Sequence, residues 1–235
     1  MLSNMGVKFV ASNNILIVES NNDKTFIEAL LGHINNIDLT VDTPICNIDE
    51  YKSLDGLSEA SLKSKLTELS IQIEKDGIEK IGILLDADDD GIEAKITIIN
   101  SALDSVGAGL TVEETNKWYR SDGLEVDVAC HVLNLDGAGE LETVLKSIKC
   151  HDSAYADCLS SWRECLHVSG NEINDKTFDK FWVNIYQRYD CCNKEEQRQA
   201  GRRCNFKASL QKGIWDFDHP NLSDLQAFLL MFNQT

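Results

Sequence analysis

The sequence lacks any segment suited to crossing or anchoring in a membrane. No apolar run approaches the roughly 18 residues that a membrane-spanning helix needs, and residues 1–12 do not combine a charged start with a long apolar stretch. They therefore do not resemble a secretory signal. We expect a cytoplasmic protein that makes no use of a membrane.

Cysteine pairs of the kind that bind zinc are also missing. The eight cysteines include no Cys-x-x-Cys pair, and zinc ribbons and fingers depend on such pairs. With 235 residues, 43% of them hydrophobic, the chain is large and apolar enough to form a core without a disulfide scaffold. We expect the cysteines to be reduced and to serve mostly as small core or surface residues.

Basic residues are scarce overall but concentrated in one segment. The formal net charge is −17, which disfavours non-specific adhesion to nucleic acid or to anionic membranes. Residues 197–213 nevertheless carry +5 and contain no acid, so the rest of the chain carries −17 − 5 = −22. This segment either grips a phosphate backbone or is a solvated helix face paired with acidic surface. Its candidate nucleic-acid contacts are Arg198, Arg202, Arg203 and Lys207.

Through the first two thirds of the chain, short apolar runs typical of strands alternate with segments whose apolar residues recur at helical spacing. Ile15–Val18 and Ile81–Leu85 predict strands buried on both faces, Val126–Leu135 predicts a third, and residues 41–48 predict a weaker one interrupted by Pro44. Apolar residues at helical spacing lie between the strands. This order predicts an α/β fold, with a parallel sheet of about four strands flanked by helices.

The pattern changes near residue 150. Beyond it, apolar residues recur at helical spacing, and no linker rich in proline or glycine intervenes. We expect an α/β domain over residues 10–149 and a helical C-terminal extension over residues 150–235 that packs on it.

Acidic residues follow two of the predicted strands. Glu19 ends the first strand and Asp23 stands four residues later, while Asp86, Asp88 and Asp90 follow the strand at 81–85. In parallel sheets, functional groups gather at the carboxyl ends of the strands. Crowded carboxylates repel one another, and a bound hard cation such as Mg²⁺ compensates that repulsion. Turn formation and helix capping are the simpler alternatives.

The Asp-x-Asp motif at residues 86–88 matches two other kinds of site. It begins like a calcium-binding loop, but the twelfth position would be Thr97 instead of a bidentate Glu, and a strand precedes it. It also resembles the nucleophile motif of haloacid-dehalogenase-type phosphatases, in which Asp86 would attack phosphate esters. That motif normally lies on the first strand and has Thr or Val where this chain has Asp90.

Taken together, these motifs resemble the toprim pattern. That pattern places a strand-end Glu, here in Ile-Leu-Ile-Val-Glu at 15–19, before a later Asp-x-Asp, here in Leu-Leu-Asp-Ala-Asp at 84–88. Topoisomerases, bacterial primases, small repair proteins and OLD-type nucleases share it, and the Glu-x-x-x-Asp spacing at 19–23 resembles the OLD-type branch. Residues 139–142 and 213–220 resemble elements of an uncharacterised single-domain toprim-like family of prokaryotes.

The resemblance implies a toprim-like Rossmannoid fold and metal-dependent cleavage of phosphodiester bonds in DNA or RNA. Glu19, Asp86 and Asp88 would be catalytic, with Glu19 as general acid/base or metal ligand and the two aspartates holding Mg²⁺ or Mn²⁺. Asp23 and Glu142 would complete a second metal position, which a two-metal mechanism needs. With Asp90, the candidate metal ligands are Glu19, Asp23, Asp86, Asp88, Asp90 and Glu142.

The resemblance also implies partners and leaves alternatives open. OLD-type toprim domains often work with an ATPase, so an ATPase is a candidate partner. The sequence leaves open whether the chain forms a homo-oligomer. Lys95 is the basic residue in the helix after Asp-x-Asp, where related families place Arg or Lys, so it is a candidate nucleic-acid contact. Ser20 stands where glycine is common. The alternatives are a non-catalytic interaction module with a structural or degenerate metal site, and a small-molecule phosphatase.

Overall fold

The computed structural model describes residues 12–42 and 59–233. Among these residues one five-stranded sheet forms, in the order β2-β1-β3-β5-β4. Its strands are β1 (Asn14–Ile17), β2 (Thr40–Val41), β3 (Lys80–Asp86), β4 (Tyr119–Arg120) and β5 (Asp127–Leu133).

The sheet confirms the predicted α/β architecture with mostly parallel strands. Strand β1 pairs in parallel with β2 and β3, and β3 pairs in parallel with β5. The short β4 is antiparallel to β5 and was not predicted. Of the weaker strand predicted over 41–48, Val41 lies in β2, and residues 43–48 lie outside the described part of the chain.

Helices cover both faces of the sheet. Four of them come after β1, β2, β3 and β5 in turn: α1 (Asn21–Ile34), α2 (Glu59–Asp76), α3 (Gly91–Ser105) and α4 (Leu141–Ser147). The later helices are α5 (Ala154–Asp157), α6 (Leu159–Val168), α7 (Asp175–Ile185), α8 (Lys194–Gln197), α9 (Ala200–Arg203), α10 (Phe206–Leu210) and α11 (Ser223–Leu230). A π-helical turn at Tyr186–Asp190 extends α7, and 3₁₀ turns at Pro220–Leu222 and Met231–Asn233 flank α11.

Alternate side chains of the central strand β3 enter two separate hydrophobic clusters. Ile81, Ile83 and Leu85 join the cluster under α2 and α3, whereas Leu84 joins the cluster on the opposite face. Because successive residues of a strand point to opposite faces, the uninterrupted apolar run of β3 is what a strand buried on both sides requires. The strand that precedes Asp86 also excludes the helix that a calcium-binding loop would need there.

The C-terminal helices complete the second face. Trp182 of α7 and Phe228 of α11 belong to the same cluster as Leu16 of β1 and Phe26 of α1. This shared core packs α7 against the sheet and places it next to the carboxyl ends of the strands.

The expectation that the cysteines are reduced is wrong at one pair. Cys192 and Cys204 form a disulfide that joins the segment before α8 to the end of α9. Pairing depends on the distance between two side chains in the fold, and twelve residues of sequence separation do not reveal it.

No helix in the described part of the chain is long and apolar enough to cross a membrane.

Candidate functional site

Loops that leave the adjacent parallel strands β1, β3 and β5 meet at one edge of the sheet. Glu19 follows β1, Asp86 is the last residue of β3, and Asp88 lies two residues further on. The Asp88 N–H donates to the Gly139 carbonyl (2.9 Å), and the Gly139 N–H donates to the Asp88 carbonyl (2.9 Å). This pair of hydrogen bonds ties the loop after β3 to the segment that begins α4, and it brings Glu140 and Glu142 to the same edge.

The side chains at this edge form one electrostatically connected group. In the described part of the chain it contains six carboxyl groups, which we call the carboxyl cluster, and three lysines, which we call the site lysines. The carboxyl cluster consists of Glu19, Asp23, Asp86, Asp88, Glu140 and Glu142, and the site lysines are Lys95, Lys176 and Lys180.

Asp88 is the carboxylate that the lysines neutralise. Its Oδ1 lies 2.7 Å from Lys176 Nζ, and its Oδ2 lies 2.5 Å from Lys95 Nζ. Burial alone would raise the pKa of Asp88, but the hydrogen bonds from the two ammonium groups outweigh burial and lower that pKa below its ordinary value. Asp88 is therefore ionised and already holds two positive charges.

Glu140 is buried beneath α7. Its Oε2 lies 3.2 Å from Lys176 Nζ and 3.5 Å from Lys180 Nζ, while its Oε1 is buried without a hydrogen-bond partner. Burial raises the pKa of Glu140 despite the two lysines. An unpaired buried carboxylate oxygen is costly, so this atom marks a place where a ligand or a proton would stabilise the site.

The remaining carboxyl groups are crowded and poorly compensated. Burial, followed by the charges of Asp23 and Asp88, raises the pKa of Glu19 to about 7, and Glu19 Oε2 is buried without a hydrogen-bond partner. Burial and Glu140 raise the pKa of Glu142 to about 8. Burial, then Asp23 and Glu19, raises the pKa of Asp86 well above its ordinary range. These groups hold protons near neutral pH unless a cation replaces them.

Two other predicted metal ligands, Asp23 and Asp90, have surroundings that differ from those of Glu19, Asp86 and Glu142. Asp23 is buried and caps α1: the Ser20 N–H donates to Asp23 Oδ2 (2.7 Å), and the Asp23 N–H donates to Ser20 Oγ (3.2 Å). Part of its capacity as an acceptor is thus used by the helix. Asp90 is exposed at the start of α3 and makes no capping hydrogen bond, so the structure does not bring it into the cluster.

Sequence reasoning missed Glu140, Lys176 and Lys180 as site residues. The two lysines are four residues apart and therefore share one face of α7. A pair of lysines at this spacing in a strongly acidic chain is the only signal that pointed to them.

The candidate nucleic-acid contacts divide into two places. Lys95 is buried in the site against Asp88, with 3% of its surface exposed. The other four residues are exposed on the later helices: Arg198 directly after α8, Arg202 and Arg203 in α9, and Lys207 in α10.

The carboxyl cluster has the ligand chemistry for a hard divalent cation, but in this conformation lysine ammonium groups contact several of its oxygens. Among residues 12–42 and 59–233, no group of three or more His, Cys, Asp or Glu side chains stands close enough to hold a metal ion. The donors are nonetheless the carboxylates that Mg²⁺ and Mn²⁺ prefer. Two buried oxygens, Glu19 Oε2 and Glu140 Oε1, lack partners. Fully ionised, six carboxylates and three ammonium groups would leave an excess of three negative charges.

The sequence belongs to a known family. A family model described as a protein of unknown function, DUF3226, matches residues 13–233, and the chain is therefore a member of the DUF3226 family. No curated protein and no solved structure matches it.

Proposed function

We propose that this chain is a toprim-like, metal-dependent enzyme of the nuclease type that cleaves phosphodiester bonds in DNA or RNA. The observation that carries the proposal is the carboxyl cluster at the ends of three adjacent parallel strands, where burial and mutual repulsion raise the pKa of Asp86, Glu19 and Glu142. Perturbed carboxyl groups gathered at a strand-end edge are typical of functional sites.

The residues divide into two groups by the work they would do. Asp86, Glu19, Glu142 and the free oxygen of Glu140 would hold one or two Mg²⁺ or Mn²⁺ ions. A bound ion of this kind polarises a phosphoryl oxygen and lowers the pKa of water. Glu19, with a pKa of about 7, is suited to exchange a proton near neutral pH. Lys176 and Lys180, both half-buried at the rim, would attract the phosphate group.

Calorimetry with Mn²⁺ tests the proposal most directly. We expect the wild-type protein to bind Mn²⁺, and Asp86→Asn to bind it at least about tenfold more weakly, because the substitution removes a central ligand charge without changing the shape of the side chain. Asp89→Asn is the matched control: it removes the same charge three residues away, from an exposed side chain.

A cleavage assay on labelled single-stranded and duplex DNA and RNA then tests the chemistry. Cleavage that requires Mn²⁺ or Mg²⁺ and disappears in Asp86→Asn but not in Asp89→Asn supports the proposal. Wild-type protein that binds no Mn²⁺, or an equal loss in the two variants, overturns it.

The second candidate function is a non-catalytic toprim-like interaction module. The pairing of Asp88 with both Lys95 and Lys176 favours it, because an internally neutralised site needs no metal ion. Calorimetry separates the enzyme from a module with a degenerate site, which binds neither Mn²⁺ nor Mg²⁺ in wild type. The cleavage assay separates it from a module with a structural metal ion, which binds the ion and cleaves nothing.

A further inference from the structure

Four basic residues of the later helices make no ion pair within the described part of the chain. Arg198, Arg202, Arg203 and Lys207 are exposed, and none of them takes part in an ion pair within the described part of the chain. The two roles considered for this segment were pairing with acidic surface and gripping phosphates. Lys212 pairs with Glu196, but the other four cations make no ion pair within the described residues of a chain with a net charge of −17, which favours an external anionic ligand.

Two exposed aromatic rings and a further arginine lie on the segments that precede α8. Tyr155 and Tyr189 are 64% and 42% exposed, and their ring centroids are 6.2 Å apart. The guanidinium group of Arg188 lies 5.6 Å from the centroid of the Tyr189 ring. Two exposed rings next to an arginine provide flat faces on which other flat groups can stack.

Hydrogen bonds and a disulfide connect the segments that carry the rings to the segments that carry the cations. Asp190 Oδ1 accepts the Tyr155 N–H (2.9 Å), and Gln197 Nε2 donates to the Arg188 carbonyl (3.2 Å). The disulfide between Cys192 and Cys204 holds the end of α9 to the segment before α8. We call this the aromatic–basic surface, and it consists of Tyr155, Arg188, Tyr189, Arg198, Arg202, Arg203 and Lys207.

The charge of this surface is locally positive. Residues 188–207 contain six basic and three acidic residues, a net charge of +3. Two of the three acids are engaged: Asp190 accepts backbone N–H groups at the start of α5, and Glu196 Oε1 lies 2.9 Å from Lys212 Nζ. Anions that approach this surface therefore meet cations and aromatic rings together.

We propose that the aromatic–basic surface binds single-stranded nucleic acid. Cations that follow the phosphate backbone, combined with aromatic rings that stack on bases, are the two elements such binding needs. A duplex hides its base faces and would leave the tyrosines unused, whereas an acidic protein would match the cations but not the stacking geometry. The inference rests on the proposed function, because it names the substrate class for the same enzyme.

The position of the surface fits that role. Lys176, at one end of α7, contacts the carboxyl cluster, and Tyr189 lies in the π-helical turn beyond the other end. At a rise of 1.5 Å per residue, thirteen residues of helix span about 20 Å. A single strand of several nucleotides bridges such a distance, so the same strand would reach both the surface and the cluster.

Fluorescence anisotropy in EDTA measures this binding without cleavage. The ligands are labelled oligothymidylate and oligouridylate of about 20 nucleotides and a DNA duplex of the same length. We expect wild type to bind a single strand more tightly than the duplex. We expect Arg202→Ala/Arg203→Ala to weaken single-strand binding at least about tenfold. The slope of the logarithm of the binding constant against the logarithm of the salt concentration should become less steep by about 1.4. We expect Tyr189→Leu to weaken it at least about fivefold.

The matched control removes two exposed lysines of α2 that make no ion pair with the described residues. Lys63→Ala/Lys75→Ala, both on α2, changes the net charge by the same amount as the double arginine variant. Retained binding in this control, with loss in the arginine variant, supports the surface. Equal losses in both double variants, an absence of single-strand binding, or duplex binding that is as tight and insensitive to Tyr189→Leu overturns it.

Failure of the surface and failure of the proposed function give different results. Metal-dependent cleavage that persists unchanged in Arg202→Ala/Arg203→Ala and Tyr189→Leu overturns the proposal that the aromatic–basic surface binds the substrate, and it supports the proposed enzyme. Single-strand binding that depends on these residues, together with no cleavage and no Mn²⁺ binding, leaves the surface and overturns the enzyme.

Discussion

Lys176 holds two carboxyl groups of the cluster at once, through contacts of 2.7 Å to Asp88 Oδ1 and 3.2 Å to Glu140 Oε2. A divalent cation held by Asp86, Glu19, Glu142 and Glu140 Oε1 would be repelled by this ammonium group, because both positive charges are attracted to the same carboxyl cluster. We therefore expect Lys176→Met, which keeps the length of the side chain, to bind Mn²⁺ about tenfold more tightly than wild type in calorimetry, a gain of about 1.4 kcal/mol.

The control for this prediction is Lys146→Met. Lys146 has the same side-chain exposure as Lys176, 38%, but pairs with Asp179 outside the cluster. We expect its Mn²⁺ affinity to equal that of wild type. Weaker binding in Lys176→Met than in wild type would show that Lys176 supports a bound metal, and the interpretation of it as a competitor would be wrong.

Among the elements, β3 depends on a glycine for its contact with the C-terminal turn. A Cβ atom on Gly82 would lie 2.6 Å from Phe232 Cζ and 2.9 Å from Leu16 Cδ1. Phe232 and Leu16 are both buried, so neither side chain has room to move away from the added methyl group. We expect Gly82→Ala to lower the free energy of unfolding by about 1–3 kcal/mol in urea titrations.

Two further variants make this prediction specific. Gly32 of α1 has open space around it, so Gly32→Ala should raise the free energy of unfolding by roughly 0.5–1 kcal/mol, through helix propensity alone. Phe232→Leu removes the nearest ring atoms and should reduce the cost of Gly82→Ala. An unchanged cost in the double variant would mean that the turn does not pack on β3 as described.

For the whole molecule, the buried acids make stability depend on pH. Glu142 titrates near 4.5 when unfolded and near 8 when folded, so between these values the native state keeps a proton that the unfolded state has released. Stability therefore falls as the pH rises from about 4.5, and the loss levels off above about 8. The slope for one such group is at most about 1.4 kcal/mol per pH unit.

Urea unfolding at several pH values in EDTA measures this effect. Glu142→Gln keeps the shape of the side chain and cannot ionise, so we expect its stability to fall less steeply than that of wild type between pH 5 and 8. Parallel curves for the two proteins would mean that Glu142 titrates in the folded protein as it does in the unfolded chain.

The strands and their terminal acids were predictable because their signals are local. The apolar runs before Glu19 and Asp86 are uninterrupted, and parallel pairing then brings their ends together without further information. The two-residue strand β4 carries too few residues for any periodicity, which is why it escaped prediction.

The contacts that depend on distant parts of the chain were not predictable. Lys176 lies 88 residues from Asp88, and only the packing of α7 on the shared core brings them together. The sequence thus indicated that Glu19, Asp86 and Asp88 gather at the sheet edge. It did not exclude Asp90, and it did not reveal Glu140 or the two lysines that pair with Asp88.

The distance in sequence between the acids and two of the site lysines has a consequence during synthesis. All six carboxyl groups leave the ribosome before Lys176 and Lys180, because Glu142 precedes α7. A nascent chain that has just released α4 therefore has the acids together with Lys95 alone, and the other two site lysines follow only after about 30 further residues have been made. Protons or dissolved cations would compensate part of the charge in that interval, so we expect the folding of the newly made sheet edge to depend on pH and on divalent cations.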